Sequence, residues 1–267
     1  MWGDDIEDMA RRKMAWLIGI LALATAAFGG WYWYESRQPA AHPVAATAAP
    51  PPVANIERQI EHPIAEGPDS AALPALNDSD QVVHDSLAGV IGRAPVEQFL
   101  APQNIVRHVV VTVDNLSQRK VAVDLRPVKP TAGQTAVSTQ GDITSLGESN
   151  FQRYAPLVHV VQGTDVKALA VIYQRLYPLF QQAYEDLGYP GKYFNDRLVQ
   201  VIDHLLQAPE VPAPIQVVQP KVFYEYADPN LESRSAGQKL LIRMGPANAR
   251  IIKAKLRDFR AEIAKNK

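Results

Sequence analysis

Twenty-one consecutive positions without a charged side chain, "MAWLIGILALATAAFGGWYWY" from Met14 to Tyr34, set the first constraint on this chain. A helix of that length rises about 30 Å, the thickness of a bilayer's hydrocarbon core. Arg11, Arg12 and Lys13 precede the run, while only Arg37 follows it closely. That bias places residues 1–13, a short acidic tip, in the cytoplasm and everything after the run outside it. Trp31, Tyr32, Trp33 and Tyr34 stand where an interfacial aromatic belt belongs, with Trp16 near the other face. The expectation is a single-pass anchor and membrane attachment through this N-terminal helix. A cleaved signal peptide is the rival reading, because "ATA" (Ala24–Ala26) has the small-x-small form of a cleavage site.

Residues 35–74 are rich in Pro and Ala, with Pro39, Pro43, Pro50, Pro51, Pro52, Pro63, Pro68 and Pro74 among few large apolar side chains. Such a segment cannot offset its ordering entropy, so it reads as a flexible linker. Polyproline geometry gives it a reach on the order of 100 Å at most. His42 and His62 fall here, each followed by Pro, and read as spacer residues.

Residues 75–267 carry no repeat and no second long linker, and read as one mainly helical domain with short β-hairpins. "NDSDQVVHDSLAGVIG" predicts a helix capped near Asn77 or Ser79 and closed by Gly92. "NIVRHVVVTVDNL" is β-branched like a strand, yet Ile105, Val109, Val113 and Leu116 keep helical spacing, and helix is the choice here. "TAVSTQGDITSL" predicts a hairpin turning at Gly141-Asp142. "ESNFQRYAPLVHVVQ" is one helix. Thr164 caps the next, in which Pro178 should introduce a kink and Tyr173, Tyr177, Phe180 and Tyr184 form a core stripe. "IQVVQ" and "KVFYEYA" read as short strands, and helices from Ser235 and Pro246 close the chain.

"VTVDNL", "RPVKP", "YFNDRLVQVIDHLL", "VQPKVFYEYADP" and "SAGQKLLIRMGP" together resemble the shared blocks of an uncharacterised bacterial family, the domain of unknown function 3014 family. The resemblance covers about residues 73–264, and the anchor and spacer are similar to that family's layout. It implies a protein of the bacterial inner membrane, single-pass, whose main domain lies in the periplasm. It brings no catalytic residues to carry over.

Motif chemistry is sparse. There is no cysteine, which removes disulfides, thiolate nucleophiles and Cys-containing metal sites. Net charge is −1, which makes no case for nucleic acid as a partner. No cofactor motif occurs: neither a Gly-rich phosphate loop nor His-Glu-x-x-His is present. Ser117-Gln118-Arg119-Lys120 matches Ser-x-x-Lys, but the companion triplets of penicillin-binding enzymes are missing.

Two clusters remain as candidate sites. Arg250, Lys253, Arg257 and Arg260 fall along one flank of the last helix, beside an apolar stripe of Ile252, Leu256, Phe259 and Ile263. They offer a contact for an anionic partner. The plainer reading, a solvated face with cations near a helix C-terminus, is the stronger of the two. On "NDRLVQVIDHLLQ", Asp196, Arg197, Gln200, Asp203, His204 and Gln207 share a polar arc of about 120°. Asp196 and Asp203 are about 10 Å apart along the axis, too far to form a metal site or carboxylate pair by themselves. The stretch reads as an amphipathic helix with Asn195 as N-cap, and Asp196, Arg197 and His204 are candidate groove residues. The expectation is a non-enzymatic envelope adaptor or binding module, contacting an envelope protein or anionic partner. An envelope hydrolase and a solute-binding domain are the alternatives.

Overall fold

The computed structural model describes residues 60–64 and 73–264. The anchor expected over Met14–Tyr34 lies outside the described residues, as does His42. After a 3₁₀ turn at Leu76–Asp78 come helices α1 (Asp80–Ile91) and α2 (Arg93–Phe99), separated by Gly92 at φ +88°. Gly92 closes α1 as the sequence predicts. Ser79 holds the cap position, but its hydroxyl donates back to the Leu76 carbonyl (2.7 Å) rather than accepting from the helix. The carboxylate of Asp80 turns instead to α3 (Ile105–Leu116), accepting from the N–H groups of Asn104 (2.7 Å) and Ile105 (2.8 Å). One helix's first turn thus supplies the cap of another.

The β-branched run of α3 is helical, as its spacing predicts. Ile105, Val106 and Val110 are buried in the main core, and packing on long helices overrides strand propensity. Strands β1 (Ser138–Gln140) and β2 (Ile143–Leu146) form the expected hairpin around Gly141 and Asp142. The helix expected over residues 148–162 is broken in two, α4 (Glu148–Phe151) and α5 (Ala155–Gly163), with a proline in the first turn of the second. In a first turn the missing N–H of this proline costs nothing, because the N–H groups there have no partner within the helix.

Helix α6 (Val166–Asp186) is capped by Asp165, whose carboxylate accepts from the N–H groups of Lys167 (2.9 Å) and Ala168 (3.2 Å). Thr164, the expected cap, donates its hydroxyl to the Val160 carbonyl (2.8 Å) and closes α5 instead. Pro178 lies inside α6. Of the aromatic stripe, Tyr173, Phe180 and Tyr184 are buried, and the Tyr173 ring lies 5.5 Å from Phe180 and 5.7 Å from Phe259. These separations suit tilted and edge-on aromatic contacts.

Helix α7 (Phe194–Leu206) follows, then strands β3 (Ile215–Val218) and β4 (Glu225–Tyr226), α8 (Pro229–Glu232), α9 (Ala236–Arg243) and α10 (Pro246–Ile263). The strands do not stay as separate hairpins. They join in one antiparallel sheet of order β1-β2-β3-β4, with Leu146 opposite Ile215 and Thr144 opposite Val217. Leu146, Ile215, Val217 and Tyr226 bury one face of it with Phe151 and Ile242.

The helical body has α3 and α10 packed against both α6 and α7. Helix α9 approaches so closely that a Cβ on Gly237 would lie 2.9 Å from the Leu116 carbonyl oxygen. Residues 60–64, within the stretch read as linker, also lie on this body. Ile64 packs against the main core, and His62 contacts α7.

Candidate functional site

The polar arc of α7 faces the C-terminal end of α3, and the two are joined by one arginine. Arg197 Nε donates to Asp114 Oδ1 (2.8 Å), and Nη2 donates to the Asp114 carbonyl and to Ser117 Oγ, each at 2.8 Å. Nη1 donates to Gln200 Oε1 (2.8 Å). Four of the guanidinium's five N–H donors are therefore committed within the protein. The pair is largely sheltered, with side-chain exposures of 17% for Arg197 and 15% for Asp114.

The other oxygen of Asp114 accepts from the Tyr189 hydroxyl (3.1 Å). The negative charge of Asp114, with that hydrogen bond and burial, raises the Tyr189 phenol above its usual range against the opposing pull of Arg197. The Tyr189 ring stacks on Tyr184 with centroids 4.6 Å apart, and Lys192 Nζ lies 5.2 Å from its centre. These groups wall a cleft of about 630 Å³, whose lining also includes Glu61, Gln118, Tyr193, Asp196 and Gln200.

Asp196 lines this cleft and Asn195 lies buried beside it in the chain, and neither caps α7. The helix starts at Phe194, with Tyr193 at the cap position. Asn195 is 0% exposed and acts as a buried three-way junction. Its Oδ1 accepts from the Tyr173 hydroxyl (3.1 Å), and its Nδ2 donates to the carbonyls of His62 (2.8 Å) and Ile263 (3.0 Å). The expected N-cap is thus overturned: a cap faces the backbone of its own helix, whereas this amide faces three other segments. Asp196 accepts from the N–H groups of Glu61 (3.3 Å) and His62 (2.8 Å).

His204 lies apart from the larger cleft. Its Nε2 is 2.9 Å from Ser235 Oγ, the cap of α9, and its carbonyl accepts from Gln238 Nε2. It lines a second cleft of about 350 Å³ with Glu61, His62, Asp196, Gln200 and Asp203. The structure therefore brings Asp196 and Arg197 to one cleft, and Asp196 and His204 to another.

The four cations of α10 do not form one surface. Lys253 is only 6% exposed and donates to the Ala208 carbonyl (2.5 Å). Arg260 donates twice to Asp203, through Nε at 2.5 Å and Nη2 at 2.9 Å. Arg250 pairs with Glu210 at 3.5 Å, and Arg257 is exposed. An anion reaching this flank meets Arg250 and Arg257, while Lys253 points inward. A helical wheel gives an angle but not the neighbour met at that angle.

Asp114, Ser117, Tyr189 and Asn195 escaped the sequence reading as site residues. Asp114 stood in the quoted block "VTVDNL", but nothing in one sequence pairs it with a residue 83 positions on. Ser117 of the Ser-x-x-Lys match accepts a hydrogen bond from Arg197. Among the described residues no group of three or more His, Asp or Glu side chains is placed to hold a metal. Nor is any single described helix long and apolar enough to cross a membrane; α5 and α6 pass that test only as a pair bent by 86°.

The model of one family, "Protein of unknown function (DUF3014)", matches residues 105–260, and the chain belongs to that family. The match begins with α3 and ends within α10. It contains every lining residue of the larger cleft except Glu61. No curated protein and no solved structure matches the chain.

Proposed function

We propose that this protein is a non-enzymatic binding module of the bacterial envelope, with the 630 Å³ cleft between α3 and α7 as its recognition face. In this reading Met14–Tyr34 anchors the chain in the inner membrane with the N-terminus cytoplasmic, and the domain works in the periplasm on an envelope protein. One observation carries the choice of binding over catalysis: the cleft's strongest polar groups are already committed to one another. Asp114 is held by Arg197 and Tyr189, and Arg197 spends four of its five donors inside the protein. Acid–base catalysis needs a group free to exchange a proton with the substrate. A pre-paired wall suits recognition, because it presents a fixed surface with little ordering cost.

A photo-crosslinking residue at Gln118, at the cleft, and another at Arg257, away from it, would test this in intact cells. The expected result is one reproducible crosslinked protein from Gln118 and none from Arg257. No crosslink from Gln118 across several growth conditions would remove the proposal. An envelope hydrolase is the second reading, favoured by the presence of Glu61, Asp114 and Asp196 in one cleft. It predicts turnover of cell-wall fragments that is abolished in Asp196→Asn.

A further inference from the structure

Residues 60–64 cross the start of α7 as a short strap, and among the described residues their hydrogen bonds to α7 run through the strap's main chain. Asp196 takes the N–H groups of Glu61 (3.3 Å) and His62 (2.8 Å), and Asn195 gives its Nδ2 to the His62 carbonyl (2.8 Å). Ile64 adds a partly buried apolar contact with the main core. Glu61, Asp196 and Gln200 line both the larger cleft and the second one, so the strap meets α7 where the two clefts adjoin.

We propose that this strap is a releasable partition. Seated, it divides the polar face of α7 into two clefts. Lifted, it bares the Asn195 amide and both Asp196 oxygens, and joins the clefts into one groove running from Tyr189 to Gln207. The proposal rests on the larger cleft being a binding site, whose usable length the strap sets. Among the described residues three hydrogen bonds and the Ile64 contact hold the strap, beside a His62 ring whose Nδ1 is buried without a hydrogen bond, and the Asp196 carboxylate regains water when the strap leaves. Opening is therefore far less costly than unfolding the helices beneath. The two parts also differ in membership. Asn195 and Asp196 lie inside the family-matched residues 105–260, and the strap lies before them. The seat belongs to the shared domain, while the strap belongs to the chain leading into it.

Hydrogen exchange on the purified full chain, read at the Glu61 and His62 amides, tests this without any partner. A failed crosslink at the cleft and a failed strap are thus separate results. In the wild type both amides should exchange at least about 100-fold faster than the amide of Leu176 in α6. Asp196→Ala should speed them by about ten- to hundred-fold, the effect of losing a charge-assisted hydrogen bond. It should also raise hydroxyl-radical oxidation of Ile64 and Val199. Asp203→Ala, on the same helix but bonded to Arg260, should leave all four readings unchanged. Strap amides as slow as Leu176 in the wild type, or unchanged exchange and Ile64 oxidation in Asp196→Ala, would overturn the proposal. Should Asp196→Ala fail to fold, His62→Pro removes the closer strap donor and leaves α7 intact. Unchanged Ile64 oxidation in that variant would overturn the proposal equally.

Discussion

Arg197 on α7 grips Asp114 on α3 at two points at once, its carboxylate through Nε and its main-chain carbonyl through Nη2, both at 2.8 Å. The second contact ties the guanidinium to the last turn of α3 as well as to a side chain. Truncation of Arg197 leaves a sheltered carboxylate without its cation, a change that costs about 3 kcal/mol. Arg197→Ala should lower the urea midpoint accordingly. Arg197→Lys should recover only part of the loss, because an ammonium cannot reproduce the planar fork that reaches four acceptors. Full recovery with Lys would show that charge alone matters at this position.

Asn195 makes three hydrogen bonds from a fully buried position. Asn195→Ala strands the Tyr173 hydroxyl and the Ile263 carbonyl, for a loss of about 2–4 kcal/mol in chemical denaturation. Asn195→Asp should be worse still, since it points a carboxylate at two carbonyl oxygens. If Asn195→Asp proves as stable as wild type, the junction is misassigned.

Gly237 sits where α9 meets α3 and α7, with no space for a methyl between the Leu116 carbonyl and Leu205. Alanine raises helix propensity, yet overpacking costs about 1–3 kcal/mol and should win. Gly237→Ala should therefore melt several degrees below wild type, at about 2–4 °C per kcal/mol for a domain of this size.

Burial raises the phenols of Tyr177 and Tyr226 from 10.0 to about 12. The folded state holds these protons more tightly than the unfolded chain. Their stabilising contribution is therefore whole below pH 10 and is lost as pH rises through about 12. Denaturation midpoints should hold steady up to pH 10 and then fall, and ultraviolet titration should show a late-ionising group of tyrosines. A midpoint that is flat to pH 12 would contradict this.

Lys253 and Arg257 stand one turn apart on α10 but in opposite surroundings. Lys253→Ala removes a buried chain and leaves the Ala208 carbonyl without its donor, at about 1–3 kcal/mol. Arg257→Ala should change stability by less than about 0.5 kcal/mol. Thermal melts of the two variants would separate the inward cation from the solvated one.

Local patterns were readable in the sequence, and meetings between distant segments were not. The helical register of α3, the Gly141-Asp142 turn and the aromatic stripe of α6 follow from spacing over a few residues. The capping of α3 by Asp80, the pairing of β2 with β3, and the Arg197–Asp114 grip join residues 24 or more positions apart. Asn195 shows the limit best. Its place at the start of a helix suggested a cap, and only the neighbours brought in by folding make it a junction.

That junction also fixes where the chain enters and leaves the domain. The carbonyls of His62 and Ile263 both accept from Asn195 Nδ2, which puts them within about 6 Å of each other. The two ends of the domain therefore emerge side by side. A short loop could join them, so a circular permutant opened at an exposed turn such as Gly141-Asp142 is sterically permitted. The same geometry means that a pull on these two ends loads first the seam of hydrogen bonds from Asn195 and Asp196 to the strap and to Ile263, ahead of the helices beneath.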